Sequence, residues 1–327
     1  MVRAVVCRTL GPPEGLRLEE LPPPALGPGQ VRVAVHACGV NFPDILMTAG
    51  GYQLKPPLPF TPGFEAAGEI IGLGPGVAGM ELGERVITRH RYGAYADEVV
   101  VEAASVLPMP AGFSFAEGAC FAVAYGTAYH ALVQRGRLQP GQMLLVHGAG
   151  GGVGLAAVEL GKLLDASVIA TGSSPAKLAV VRLRGADHVI DYAQAPFPAL
   201  VRELTQGNGA DVIYDPVGGD AFDQSLSCIA FGGRLLVVGF AGGRIPSAAA
   251  NRILLKGCTI VGVRAGEFGR RRPEPARENM RAILDLAGRG LLRPHISHIL
   301  PLERHAEAMR ILIERKAVGR VVLTMGR

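Results

Sequence analysis

The stretch Leu144-Leu-Val-His-Gly-Ala-Gly-Gly-Gly-Val-Gly154 constrains the fold of this 327-residue chain more than any other segment. An apolar strand enters a turn with no side-chain bulk, and Leu155-Ala-Ala-Val-Glu-Leu-Gly-Lys162 leaves it as a helix with an apolar face. Glycine lets the backbone turn tightly, approach an anion closely and pack the helix on the strand. The helix N-terminus then turns free N–H groups and the positive end of its dipole toward a pyrophosphate. In the frame G-x-G-x-x-G, alanine replaces the first glycine: the positions are Ala149, Gly151 and Gly154. With a strand before it and a helix after it, the turn points to a bound dinucleotide.

The following strand says which dinucleotide. Ala166-Ser-Val-Ile-Ala170 fits it, and a site for NAD usually ends this strand in Asp or Glu, which holds the ribose 2′-hydroxyl. Here it runs into Thr171-Gly-Ser-Ser-Pro-Ala-Lys177, with no acid. A carboxylate would repel a 2′-phosphate, whereas small hydroxyls and a lysine accept one through charge-assisted hydrogen bonds. NADPH is favoured over NADH. The alternative is that Ser173 and Ser174 cap the next helix and Lys177 is a solvated charge.

Length favours two domains, and a hydrophobic fraction of 49% provides ample core. The 45 glycines and 24 prolines break the chain into short elements, as mixed α/β and β-rich layers require. No run approaches the roughly 20 apolar residues of a membrane span, and Met1 leads almost directly into the strand Ala4-Val-Val-Cys7. A soluble cytoplasmic protein is expected. The net charge of +5 raises nucleic acid as a partner. The basic residues are scattered apart from Arg270-Arg-Arg272, read as a solvated loop, and there is no Trp, which argues against it. Only five of the 33 basic residues are lysine, which fits either a GC-rich genome or a hot habitat. Five dispersed cysteines without a C-x-x-C pair indicate neither a disulfide framework nor a zinc ribbon. They read as small buried hydrophobes. His295 and His298, the one close histidine pair, give a weak metal signal.

The first ~120 residues read as β-rich, with Val31-Arg-Val-Ala-Val35 alternating and turns at Gly27-Pro-Gly29 and Gly72-Leu-Gly-Pro-Gly76. A helix is expected over 117–134. From there strands and helices alternate down to a last strand over 259–263, which predicts a parallel sheet with helices on both faces. A helix over 278–289 and a final strand over 320–324 read as a return to the first domain. The expected architecture is α/β: a doubly wound Rossmann domain over residues 123–263, inserted into a β-rich domain made of residues 1–122 and 264–327.

Seven segments together resemble the medium-chain dehydrogenase/reductase superfamily. They are Gly39-Val-Asn-Phe-Pro-Asp44, Pro62-Gly-Phe-Glu-Ala-Ala-Gly68, Gly83-Glu-Arg-Val86, Tyr125-Gly-Thr-Ala128, Gly150-Gly-Gly-Val-Gly154, Gly185-Ala-Asp-His-Val-Ile-Asp-Tyr192 and Asp215-Pro-Val-Gly-Gly219. Their order and spacing are similar to the quinone oxidoreductase, or zeta-crystallin-like, branch over essentially the whole chain. The resemblance implies a GroES-like fold for the β-rich domain. Zinc-dependent relatives place cysteine where this chain has Asn41 and His-Glu where it has Phe64-Glu65. They also carry a four-cysteine lobe after Gly-x-Arg-Val, where this chain has Ile87-Thr-Arg-His-Arg-Tyr-Gly-Ala94. Both zinc sites are expected to be lost.

Oxidising a simple alcohol without a Lewis acid is difficult, whereas a conjugated acceptor delocalises the charge that arriving hydride creates. The resemblance therefore implies an NADPH-dependent, zinc-independent reductase of quinones or α,β-unsaturated carbonyls, with its site between the domains. The polar candidates are Asn41, Tyr52 and Arg264; Tyr52 is either a proton donor or a half-buried turn aromatic, and Arg264 either a site residue or a salt-bridge partner. Carried over by motif, Asn41 would lie near the nicotinamide, with Thr127 on the helix before the turn. Gly151, Gly152, Val153 and Gly154 would meet the pyrophosphate; Ser173, Lys177 and Tyr192 the 2′-phosphate; Gly239, Phe240 and Ala241 the nicotinamide ribose. Arg315 competes with Lys316 for a phosphate contact. Rival readings are an enoyl-thioester reductase, with Arg270-Arg-Arg272 at coenzyme A phosphates, and a non-catalytic NADPH- or RNA-binding protein. Relatives commonly pair edge strands, so a homodimer through 259–263 is expected.

Overall fold

The structure is a computed structural model describing residues 1–326. The chain divides into two compact units: Met1–Val123 with the chain from Arg293 onward, and Ala124–Leu292.

The first unit opens with the antiparallel pair β1 (Val2–Val6) and β2 (Arg17–Leu21). Then come the long β3 (Gln30–Val40), helix α1 (Phe42–Thr48), β4 (Glu65–Leu73), β5 (Arg85–Arg89), β6 (Glu98–Glu102), β7 (Val106–Pro108) and the single turn α2 (Phe115–Gly118). The alternation that predicts β3 puts Val31, Val33 and Val35 in the core with Ile70, Val86 and Tyr95. This strand pairs with β4 and β6.

In the second unit, α3 (Ala122–Tyr129) begins at the junction and passes directly into a π-helical stretch, His130–Arg135. Six strands alternate with helices: β8 (Met143–Val146), α4 (Gly152–Leu163), β9 (Ser167–Gly172), α5 (Pro175–Leu183), β10 (His188–Asp191), α6 (Phe197–Leu204), β11 (Ala210–Asp215), α7 (Gly219–Cys228), β12 (Ile229–Val237), α8 (Ala250–Lys256) and β13 (Thr259–Gly262). All strand pairs in this sheet are parallel, in the order β10-β9-β8-β11-β12-β13. The chain starts in the middle, winds outward one way, then crosses back and winds the other way. Strand order reverses between β8 and β11, which is where doubly wound sheets hold ligands. Leu145, Ile169, Ile213 and Leu235 from the strands pack with Phe197, Val201, Phe222 and Leu226 from the helices.

After α9 (Ala265–Arg271) and α10 (Pro273–Gly288) the chain re-enters the first unit as β14 (Ile296–Pro301), α11 (His305–Ile313) and β15 (Arg320–Thr324). β15 pairs with β3 on one side and β14 on the other.

Three local expectations change. The helix over 117–134 is three pieces, because the buried Glu65 carboxylate takes the Val123 N–H at 2.8 Å where a continuous helix would need it. The return to the first unit falls at Arg293 rather than residue 264. Phe268 stacks on His130 with centroids 4.3 Å apart, and Asn279 exchanges hydrogen bonds with Gln134, so α9 and α10 pack with the second unit. The arginine triplet is not a loop: Arg270 and Arg271 sit on α9, both ion-paired to Glu267 at 2.6 Å.

Gly154 is the tightest point of the second unit. A Cβ there would lie 2.7 Å from the Ala149 Cα and closer still to the Gly148 carbonyl oxygen, all backbone atoms that have no rotamer by which to retreat. Gly154→Ala should therefore destabilise the protein by about 1–3 kcal/mol, as overpacking does. Urea denaturation checks this; an unchanged midpoint would mean that α4 moves off β8 without penalty.

Candidate functional site

The C-terminal ends of β8, β9, β10, β11 and β12 gather most of the residues that the sequence marks for the dinucleotide. Gly148 has φ +56°, a left-handed conformation open to glycine. The turn is held by Gly151 N–H donating to the Gly148 carbonyl at 3.0 Å and Ala149 N–H to the Thr171 carbonyl at 3.1 Å. Ala149 is fully buried, so its methyl fills space beneath the turn rather than on the ligand side. Gly151 is exposed and Gly152 and Val153 are half-buried at the first turn of α4, where N–H groups lack partners within the helix.

β9 ends at Gly172 with no acid in the chain that follows it, while Asp191 of β10 stands in register with Gly172. Ser174 is the N-cap residue of α5 with Pro175 as its first helical residue, and its side chain makes no capping bond. Ser173 is exposed. Tyr192, also exposed, is tied to the same strand end by its N–H on the Gly172 carbonyl at 3.1 Å. Lys177 reaches back over the glycine turn: a Cβ on Gly150 would lie 3.1 Å from the Lys177 Cβ and 3.3 Å from its Cδ. The lysine stem thus crosses the turn face to face. Beyond β12, Gly239 and Ala241 N–H groups bond the Asp215 and Pro216 carbonyls, which draws the Gly239–Ala241 loop against the end of β11. The Phe240 ring closes on Gly218, where a Cβ would be 2.8 Å from it. Thr127 is half-buried on α3.

Asn41 lies in the first unit, as the N-cap of α1. It is 3% exposed, and its amide nitrogen donates to Glu65 Oε1 at 3.2 Å and the Gly39 carbonyl at 3.3 Å. Both amide hydrogens are committed inward, and the side chain faces the Asp44 N–H in a capping box at the start of α1. Burial pushes the Glu65 carboxyl pKa up, while Arg320, the Val123 N–H and the Asn41 amide pull it back. Arg320 is itself buried and forms an ion pair with Glu65. Asp44 accepts the Asn41 and Gly63 N–H groups at 2.8 and 2.9 Å and the Tyr95 hydroxyl at 3.0 Å, yet burial still raises its pKa to about 7. Tyr52 is half-buried with its ring edge-on to Phe64, centroids 5.8 Å apart.

Arg264 and Arg315 both lie next to helix ends, one in each unit. Arg264 follows β13 in the second unit as the residue before α9, with an exposed side chain 3.8 Å from Glu267. Arg315 is exposed beyond α11 with φ +56°, and Lys316 is ion-paired to Glu314 at 2.6 Å. Sequence reasoning passed over Arg320 and His147. A charge opening an apolar strand and a histidine directly before the glycine turn were the available signals. Among the described residues no group of three His, Cys, Asp or Glu side chains is arranged to hold a metal ion.

Residues 27–111 match the alcohol dehydrogenase GroES-like domain, and residues 152–286 the zinc-binding dehydrogenase family. A quinone oxidoreductase-like protein 2 homolog of Nematostella vectensis is 41% identical over 323 residues, covering 98% of this chain and 88% of the relative. The chain belongs to the medium-chain dehydrogenase/reductase superfamily, in its quinone oxidoreductase branch. Within that family, a probable oxidoreductase from Mycobacterium abscessus superposes with a TM-score of 0.89 at 36% identity, over 99% of this chain and 98% of that one. The quinone oxidoreductase of Escherichia coli, solved as a complex with NADPH, superposes with a TM-score of 0.92 at 28% identity, over 99% of this chain and all of that one. The parallel-sheet and GroES-like units are those of this superfamily, and the protein is one of its oxidoreductases.

The Glu65–Arg320 pair generates a test within the first unit. Arg320→Met would strand a carboxylate in the core and should destabilise the protein by about 3–5 kcal/mol. Adding Glu65→Gln should restore much of the loss. Denaturant titration of the three variants measures this, and an unaffected Arg320→Met would show that Glu65 is held neutral without its partner.

Proposed function

We propose that this oxidoreductase uses NADPH to reduce quinones or α,β-unsaturated carbonyl compounds without zinc. The observation that carries the cofactor reading is the passage of Lys177 across Gly150. Its stem lies against the pyrophosphate turn, on the helix that follows β9. A 2′-phosphate held there would be met by Lys177 and the Ser173 hydroxyl, with Tyr192 bordering it. The glycine turn fits the rest of the nucleotide: the first turn of α4, from Gly152 on, leaves backbone N–H groups without partners in the helix, Gly151 and Gly152 bring no Cβ beside them, and Gly239–Ala241 flank the switch point. The E. coli relative solved with NADPH supports the same choice.

When bound, the nicotinamide supplies the hydride. The first unit's residues support an acceptor that needs no Lewis acid. Phe64 offers no ligand atom where zinc relatives have histidine, and the Asn41 amide is turned to Glu65 rather than outward. Tyr52, fixed edge-on by Phe64, is the hydroxyl that would give a proton to the developing oxyanion. The relatives' quinone oxidoreductase names support the same substrate class. The enoyl-thioester alternative has less support, since Arg270 and Arg271 are both bound to Glu267. Among the described residues no helix is long and apolar enough to cross a membrane. Five unpaired, buried cysteines fit a reducing compartment, and we place the protein in the cytoplasm on that ground.

The decisive assay follows NADPH oxidation with 1,4-benzoquinone and 9,10-phenanthrenequinone, alongside NADH and with added chelator. Chelator-insensitive turnover that prefers NADPH is expected. Binding without turnover on any quinone would refute the quinone reading and move the search to enones and enoyl thioesters. Lys177→Ala should raise the NADPH dissociation constant about ten- to a hundredfold and leave NADH nearly unchanged, the loss of one charge-assisted contact. Equal weakening of both would remove Lys177 from the 2′-phosphate site.

We also propose a homodimer through β13. Among the described residues this strand pairs only with β12, and α8, immediately before it, exposes Leu254 and Leu255. Sedimentation should show a dimer that Val261→Pro breaks; a stable wild-type monomer would refute it.

A further inference from the structure

Below the glycine turn lies a buried chain of side chains that touches no expected cofactor atom. His147 is the residue after β8, 1% exposed. Its Nδ1 is 2.9 Å from the Thr171 hydroxyl at the end of β9, and its Nε2 is 2.8 Å from the Ser225 hydroxyl on α7. Ser225 donates its one hydrogen to the Ala221 carbonyl at 2.6 Å, so toward His147 it can only accept. Nε2 must therefore carry the proton. Burial lowers the His147 pKa, which keeps the ring neutral, so Nδ1 is an acceptor and the Thr171 hydroxyl donates to it. The direction of every bond in the chain Thr171→His147→Ser225→Ala221 is thus settled. The edge of the Phe197 ring, centroids 4.8 Å apart, closes one further side of the imidazole.

Thr171 is the joint. Its carbonyl accepts the Ala149 N–H of the glycine turn, and its hydroxyl is held by His147. One residue on, the chain enters Gly172-Ser173-Ser174 and then α5, which carries Lys177. We propose that His147, as a positioning residue acting through Thr171, fixes the loop after β9 against the glycine turn and thereby sets selectivity for the 2′-phosphorylated dinucleotide. This rests on the NADPH reading above. The bond from the glycine turn to Thr171 is made by the Thr171 backbone carbonyl and survives a change of its side chain, whereas the hydroxyl bond to His147 governs the placement of Ser173 and Lys177.

Binding of NADPH and NADH to the full-length protein, followed by nucleotide fluorescence, tests it. Thr171→Val keeps the shape and removes the donor; Thr171→Ser keeps the donor; Ser225→Ala removes the far acceptor. Thr171→Val should weaken NADPH about tenfold, the size of one buried hydrogen bond, and NADH by no more than about twofold. Thr171→Ser should restore wild-type selectivity. Ser225→Ala should act in the same direction, and the double variant should be no worse than Thr171→Val alone. Independently of any nucleotide, the ¹⁵N shifts of His147 should report a neutral Nε2–H tautomer. Equal loss of both nucleotides in Thr171→Val, unchanged selectivity in every variant, or an Nδ1–H tautomer would overturn the inference. Wild-type protein that binds no NADPH, with the Nε2–H tautomer intact, would instead overturn the cofactor reading and leave the relay itself standing.

Discussion

The second unit depends on one close approach of backbone to backbone. Helix α4 packs on β8 only because Gly154 brings no Cβ against the Gly148 carbonyl and Ala149. That approach aims the N-terminus of α4 at the end of the sheet where strand order reverses. The unsatisfied N–H groups of the first helical turn are then a ready anion site. Stability and binding here have one origin: the contact that packs the helix also points it. Ala149 shows how far the constraint reaches. Its position is buried in the core and tolerates a methyl, whereas a side chain at Gly150 would crowd the stem of Lys177.

The first unit is organised around a buried charge. Glu65 draws Arg320 from β15, the Asn41 amide from the cap of α1 and the Val123 N–H from the start of α3. Taking a carboxylate out of water is unfavourable by several kcal/mol unless cation and donors surround it. Three chain segments far apart in sequence are thereby held to one point. The same network decides what Asn41 can do chemically, since both of its donors face inward. Asp44, three residues on, repeats the pattern with three donors around a second buried carboxylate.

The arginine-rich surface stands apart from these two centres. Arg270 and Arg271 close on Glu267, Arg304 on Glu307 and Arg310 on Glu14. Exposed pairs of this kind contribute little individually and are screened by salt. Positive charge on this surface is dispersed and largely answered locally.

Much of the fold was legible because its signals are local. Alternating strands and helices, glycine where backbone meets backbone, and the missing acid after β9 all follow from short-range patterns, and the seven spaced segments identified the family. What was not legible depends on partners distant in the chain. Nothing near residues 117–134 announces that a carboxylate at position 65 will interrupt the helix. Neither does the composition of 264–292 show that Phe268 and Asn279 will pack with the second unit. A histidine before a glycine turn reads as one more polar residue until Thr171 and Ser225, 24 and 78 positions away, are brought to its two nitrogens. The sequence by itself determined the strand–turn–helix, the sheet type and the chemistry available at each strand end. Only the tertiary structure decided which donors face outward and which are committed within, because hydrogen-bond direction is set by the neighbours that packing supplies.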